Sequence, residues 1–269
     1  MQINGMNFSV GADPEVFIKN KDGFVSAFGM VPGDKMQPSK VEKGAVQVDG
    51  MALEFNIDPA EDEAQFEDNI TSVMAQLKDM IPEHDFDENC TVSFTKEFLL
   101  SQHPLAVLLG CEPDFNAYTM DENRKPSHRS LIRTAGGHVH VGGFFTDNPF
   151  NSTHFSDSAR LTRLLDETLG LPSLLWDKDA QRRTLYGAPG AFRPKNYGME
   201  YRTLSNAWVF SPKLRSFVFK GVERALERMF DSSYEPPEFV RKLIISSDTA
   251  STDFNNHEDV KFAKQFLEA

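Results

Sequence analysis

The chain is poor in cysteine: Cys90 and Cys111 are the only two among 269 residues. Two thiols cannot build a disulfide scaffold, and this pair lacks the short spacing of a zinc knuckle. Such sparse usage suits a reducing compartment, so a cytoplasmic setting is expected. No apolar run reaches the roughly 18 residues of a membrane-spanning helix. The first residues, MQINGMNFSVGADPEVF, have no basic segment leading into an apolar one, so no signal peptide is expected. Basic residues are also scarce. Lys and Arg number 28 against 40 Asp and Glu, a formal net charge of −12. That balance argues against a non-specific nucleic-acid binder or an anionic-membrane binder, both of which reward clustered cations, and leaves room for a local basic pocket. Walker A, Rossmann-glycine and protein-kinase signatures are missing as well.

What the chain has is phenylalanine, 23 residues against 5 Tyr and 2 Trp, which predicts a Phe-packed core. Residues 6–19 read as a strand broken at Asp13-Pro14, with a hairpin partner over 24–29 across Lys21-Asp22-Gly23. A Pro-, Gly- and Lys-rich loop is expected over 30–45. Residues 46–57 read as a strand pair or one bent strand, with Met51, Leu53 and Phe55 on one face and Ala52, Glu54 and Asn56 on the other. Asp58-Pro59-Ala60-Glu61 predicts a helix start, and Phe66, Ile70, Val73, Leu77 and Met80 supply its apolar stripe before Pro82 ends it. Strands are expected over 91–98, 131–145 and 198–204, and helices over 156–169 and 172–181. Residues 182–197 read as a loop. Ser211-Pro212 opens a further helix, and 236–269 reads as two shorter ones. The sum is one α+β domain over 1–269, an antiparallel sheet with helices on one side and a helical C-terminal segment from about 205 to 269.

Four constellations carry chemistry. Gly136-Gly137-His138-Val139-His140-Val141-Gly142-Gly143 places His138 and His140 at i and i+2 of a strand, facing one pocket. Asp13 and Glu15 share a strand face in the same way, and paired carboxylates there call for a cation or water between them. Glu54 stands between Leu53 and Phe55, while Asp49-Gly50 reads as a turn. Glu200 and Arg202 alternate onto one face, downstream of Arg182, Arg183, Arg193 and Lys195. In an acidic chain, that local basic cluster suits an anionic ligand such as a nucleotide phosphate. Carboxylates with few soft donors favour Mg²⁺ or Mn²⁺ over a structural zinc.

The segments GADPEVF, VDGMALEFN, RTAGGHVHVG and RRTLYGAPGAFRPKNYGMEYRTLSNAW together resemble the phage-type carboxylate–amine ligases. These amidoligases are a branch of the superfamily that includes glutamine synthetase and glutamate–cysteine ligase. The resemblance spans about residues 8–230. It implies a glutamine synthetase/glutamate–cysteine ligase-like catalytic fold, with a curved antiparallel sheet and helices on its outer face. It implies that ATP phosphorylates a carboxylate, an amine attacks the acyl phosphate, and Mg²⁺ (or Mn²⁺) assists. Through the resemblance, Asp13, Glu15, Glu54, His138 and Glu200 become metal ligands. His140, Arg193 and either Arg182 or Arg183 fall to the nucleotide, with Lys195 of the basic cluster beside them, and Glu54, Arg193 and Arg202 to catalysis. Glutamine synthetases often carry an arginine two residues before the late glutamate, where this chain has Gly198.

The expected partners are a small-molecule or peptide carboxylate and an amine, without nucleic acid or membrane, in a cytoplasm that is the host's if a phage encodes the chain. Ring assembly of the glutamine synthetase kind leaves an oligomer open. Two other readings stand beside this one: a zinc-dependent hydrolase using the paired histidines, and a catalytically silent binding relative. The segment 111–116 also resembles the family, without a role beyond a turn near the site.

Overall fold

The computed structural model describes residues 1–107, 113–124, 130–143, 146 and 148–269. The chain opens with strands β1 (Gln2–Ile3), β2 (Met6–Asn7), β3 (Ser9–Ala12), β4 (Glu15–Asn20) and β5 (Gly23–Val25). The break at Asp13-Pro14 is present, since proline cannot donate to a ladder. Strands β6 (Ser39–Val41), β7 (Gly44–Asp49) and β8 (Ala52–Ile57) follow, and β7 and β8 form a hairpin in register Val46↔Phe55 and Asp49↔Ala52. Helix α1 (Glu63–Met80) starts four residues later than the Asp58-Pro59 motif suggested. Asp62 is its cap, accepting from the Gln65 amide, because Ala60 is held back by a bridge to Val10. Glu63 is therefore the one acidic residue of its first turn.

The region expected as a strand over 91–98 divides. Strands β9 (Asp85–Asp87) and β10 (Thr91–Ser93) precede α2 (Lys96–Ser101), which Thr95 caps, and α3 (Pro104–Val107). After β11 (Phe115–Asn116), the expected 131–145 strand is two strands, β12 (Ile132–Thr134) and β13 (Val139–Gly142), which join different sheets. Residues 144 and 145, in that same expectation, lie outside the described residues. Helix α4 (Ser152–Leu165) runs into a π-helical turn, Asp166–Gly170, and α5 (Leu171–Ser173). The helix expected over 172–181 is not continuous, and its place is taken by a turn before α6 (Ala180–Leu185), capped by Asp179. The expected 182–197 loop contains the end of α6 and strand β14 (Ala191–Lys195), which pairs with β15 (Gly198–Tyr201). A 3₁₀ turn, Asn206–Phe210, leads to α7 (Pro212–Met229), opened by Ser211 and Pro212 as the sequence indicates. Three helices rather than two finish the chain: α8 (Glu238–Ser246), α9 (Thr252–Asn256) and α10 (Glu258–Glu268).

The strands form antiparallel pairs in two principal sheets, ordered β11-β14-β15-β13-β3 and β5-β4-β8-β7-β6, with β9 also on β4. The fold is α+β. The two sheets meet along β3 and β4, which are consecutive in the chain. On one flank Asp13 and Glu15 donate their amides to His138 O and Gly136 O. On the other, Phe55 donates to Pro14 O and Ala60 bridges Val10. Antiparallel partners share a sheet face, so the period-2 alternation of each strand sorts its side chains. Val10, Leu53, Phe55, Val139, Val141, Phe192, Met199 and Tyr201 point into the core, where Phe66, Ile70 and Val73 of α1 and Phe217 and Val218 of α7 meet them. Phe66 stacks on Trp208 with ring centroids 6.0 Å apart. Each such buried Phe contributes roughly 2–3 kcal/mol of transfer free energy. The opposite faces of the same strands carry the polar residues.

Candidate active site

Those polar faces enclose a cavity of about 450 Å³. One wall comes from β4, β8 and β7. Glu15 and Glu54 are direct cross-strand partners, and Gln47 is the partner of Glu54 on its other side. Like charges facing each other across strands are unfavourable unless something neutralises them. Ligand oxygens of Glu15, Asp49 and Glu54 lie within 4.8 Å of one another. Burial, reinforced by Asp49, pushes the Glu15 carboxyl up to about 7, although the Gly136 amide donates to its Oε2 at 2.8 Å. Burial, with Asp13, Asp49 and Glu15 around it, raises Glu54 well above the usual carboxylate range.

The second wall comes from β13, β15 and β14. Gly11, His140, Glu200 and Arg193 form one continuous cross-strand row. Glu200 is fully buried and surrounded by cations. Arg193 Nη1 reaches it at 3.0 Å, Lys195 Nζ at 3.1 Å, and Arg202 Nη1 donates to its Oε1. Burial alone would raise this carboxyl, but Arg202, Arg193 and Lys195 outweigh it and hold Glu200 well below the usual range.

Asp13 stands at the seam between the walls. Its Oδ1 lies 3.3 Å from His138 Nδ1 and 3.0 Å from His140 Nε2. Burial favours the neutral acid, yet His140 and His138 hold the Asp13 carboxyl low. The two imidazoles respond in opposite directions. Burial and Arg202 bring His138 down to about 4, whereas Asp13 outweighs burial at His140 and raises it. Gly136 makes room for the His138 ring, since a Cβ there would stand 2.2 Å from Nε2.

Nine of the eleven residues singled out from the sequence line this cavity, namely Asp13, Glu15, Glu54, His138, His140, Arg182, Arg193, Lys195 and Arg202, and Glu200 is buried behind three of them. Arg183 does not come to the cavity. Its Nη1 pairs with Asp177 at 3.1 Å and its Nη2 donates to Ser247 Oγ, because on α6 consecutive residues point in different directions. Arg182 has the other orientation, but its guanidinium donates to the carbonyls of Ala135, Thr203 and Arg202. It ties the histidine segment to the exit of β15 and acts as a buttress.

Sequence reasoning left Asp49 and the 111–116 segment without a role in the site and did not single out Lys35. Asp49 is the last residue of β7 rather than part of the turn, which is Gly50-Met51. The alternation of Gln47, Asp49 and their hairpin partners was a signal for it. Asp114 accepts from Arg202 Nε at 3.2 Å, which gives part of the 111–116 segment a contact in the site. Cys111 and Glu112 lie outside the described residues. Lys35, in the loop before β6, pairs with Asp49 at 2.9 Å, and nothing in the local pattern marks it.

The donor set fits a hard divalent cation. Among the described residues, buried Glu54 Oε2 has no hydrogen-bond partner, and buried Asp13 Oδ1 has only the His138 and His140 rings beside it. A second group of ligand atoms, from Asp13, His140 and Glu200, also lies within 4.8 Å. Orphaned buried acceptors in oxygen-rich sets are what Mg²⁺ or Mn²⁺ satisfies.

Residues 128–229 match the family described as phage phiEco32-like COOH.NH2 ligase-type 2. This match supports the family read from the motifs, and the matched segment contains both histidines, the basic strand and Glu200. No curated protein matches the chain. No helix among the described residues is long and apolar enough to cross a membrane.

Proposed function

We propose that the protein is an ATP- and Mg²⁺-dependent ligase that joins a carboxylate to an amine through an acyl phosphate. The observation that carries this reading is the division of one cavity into an acidic wall of Glu15, Asp49 and Glu54 and a wall where Arg193, Lys195 and Arg202 converge on Glu200. The ligase family matched by residues 128–229 supports it. The reading includes a glutamine synthetase/glutamate–cysteine ligase-like catalytic fold and a small-molecule or peptide acid and amine as substrates. It also includes a cytoplasmic setting.

A carboxylate is a poor electrophile, and transfer of the ATP γ-phosphoryl group to its oxygen, with ADP leaving, creates a good leaving group. The amine nitrogen then attacks the acyl carbon, phosphate departs, and the nitrogen loses a proton. Asp13, His138, His140 and Glu200, and Glu15, Asp49 and Glu54, would hold divalent cations, which would supply Lewis-acid charge neutralisation there. Arg193, Lys195 and Arg202 are aimed where negative charge develops on the transferred phosphoryl oxygens. Phosphate competes with Glu200 for these three cations and frees its oxygens. His138, held neutral by burial, offers a ring nitrogen without a positive charge.

Calorimetric titration of the metal-stripped protein with ATP, with and without Mg²⁺, tests the reading. Saturable binding that requires Mg²⁺ and disappears in Glu200→Gln is the expected result. Failure to bind ATP with either Mg²⁺ or Mn²⁺, together with tight zinc binding, overturns it in favour of a zinc-dependent hydrolase.

A further inference from the structure

Lys35 has no part in the chemistry above, yet it is built into the acidic wall. Its Nζ lies 2.9 Å from Asp49 Oδ2, and Glu54 and Glu15 also act on it electrostatically. The segment that delivers it is a closed turn. Asp34 Oδ1 accepts from the amides of Met36 and Gln37 at 2.8 and 2.9 Å, and Asp34 and Gln37 exchange backbone hydrogen bonds. A parallel bridge from Asp34 to Val48 fastens this turn to β7, one residue before Asp49. Gly33 permits the attachment. Its φ is +88°, and a Cβ would stand 2.5 Å from Ser39 N and 2.6 Å from Val46 O. Met36, next in the chain, is 87% exposed, whereas the Lys35 side chain, 39% exposed, lies along the cavity rim.

We propose that Lys35 is a resident counter-ion of the Glu15–Asp49–Glu54 set. In the cation-free protein its ammonium holds the Asp49 carboxylate against the repulsion of its neighbours. When a divalent cation takes the three carboxylates, the ammonium leaves Asp49, because two cations at that range repel. Lys35 is thus a positioning residue that sets the cation concentration at which the acidic wall fills. It also selects by charge, since a monovalent ion brings no more charge than the ammonium it must displace. This inference rests on the metal-dependent reading of the cavity.

The test is a calorimetric titration of the metal-stripped full chain with Mn²⁺ alone, without ATP or acid, for the wild type, Lys35→Met and Lys35→Arg. Removing one charge beside the set is expected to tighten Mn²⁺ binding by about tenfold in Lys35→Met. Lys35→Arg stays near the wild type, and adding Glu54→Gln to Lys35→Met abolishes the tightened site. A merely structural lysine gives no such gain. In the wild type, labelling of Lys35 by an amine-reactive reagent, read by mass spectrometry, rises when Mn²⁺ is added. This second readout decides the matter should Lys35→Met fail to fold by circular dichroism. Unchanged or weaker Mn²⁺ affinity in a folded Lys35→Met, labelling indifferent to Mn²⁺, or no saturable Mn²⁺ binding in any form overturns the proposal. The ligase reading stands or falls separately, on Mg²⁺-dependent ATP binding.

Discussion

The two walls of the cavity use the same residue type in opposite electrostatic states. Glu54 and Glu200 are both almost fully buried on antiparallel strands. Glu54 faces Glu15 across the ladder and has Asp13 and Asp49 nearby, so its proton is held tightly. Glu200 faces Arg193 across the ladder and has Lys195 and Arg202 nearby, so its proton is lost easily. Burial penalises both carboxylates, and the neighbours decide the sign. On the proposed reading, the first wall takes a divalent cation and the second offers its cations to a phosphate.

The contrast is broken most severely at Glu200. Glu200→Gln is expected to lower Mg²⁺-dependent ATP turnover by about 10³-fold. It also leaves three cations around a buried neutral amide, at a cost of roughly 3–5 kcal/mol in stability. Turnover assays and urea denaturation on one preparation check both effects, and full turnover would remove Glu200 from the reacting centre. Arg202→Ala comes next. It is expected to reduce turnover by about 10²-fold while ATP affinity changes only a few-fold, because the guanidinium acts on developing charge. A loss confined to affinity would make Arg202 a ground-state contact.

The walls should also answer pH differently in the metal-free protein. Glu15 rises from 4.5 to about 7 through burial and Asp49, so between those values the folded chain binds more protons here than the unfolded chain. Stability therefore falls as pH rises through that window, by up to about 3 kcal/mol. Glu200, held low, does the reverse: its contribution is present above the ordinary carboxylate range and is lost as pH falls through its lowered value. Urea titrations from about pH 4 to 8 check the Glu15 part, and their extension to more acid pH checks the Glu200 part. Glu15→Gln is expected to flatten the decline towards neutral pH, and a curve parallel to the wild type would show that Glu15 does not govern it.

The smallest functional effect is expected at Arg183, the basic residue that stays out of the cavity. Arg183→Met should change ATP affinity by less than about twofold and still cost roughly 3 kcal/mol, because it strands buried Asp177. A large loss of ATP affinity would place the Arg183 side chain in the cavity during binding.

The sequence alone determined the features that depend on local periodicity. Period-2 spacing marked Glu54 on β8, the pair His138 and His140, and the pair Glu200 and Arg202 as facing one side, although His138 stands just before β13 and Arg202 just after β15. Proline placed the break at Asp13-Pro14 and the start of α7 at Pro212, since its ring and missing amide act locally. Tertiary structure decided whatever depends on which strand lies beside which. Glu15 met Glu54, and Glu200 met Arg193, through ladder registers. Arg182 and Arg183, adjacent in the chain, parted because α6 turns them to different neighbours. The bridge from Ala60 to Val10 delayed the start of α1 against a motif that reads as a cap. Lys35 reached Asp49 through a turn fastened to another strand, a contact no window of neighbouring residues contains. Charges interact through space, so their roles were settled only when the fold set the distances between them.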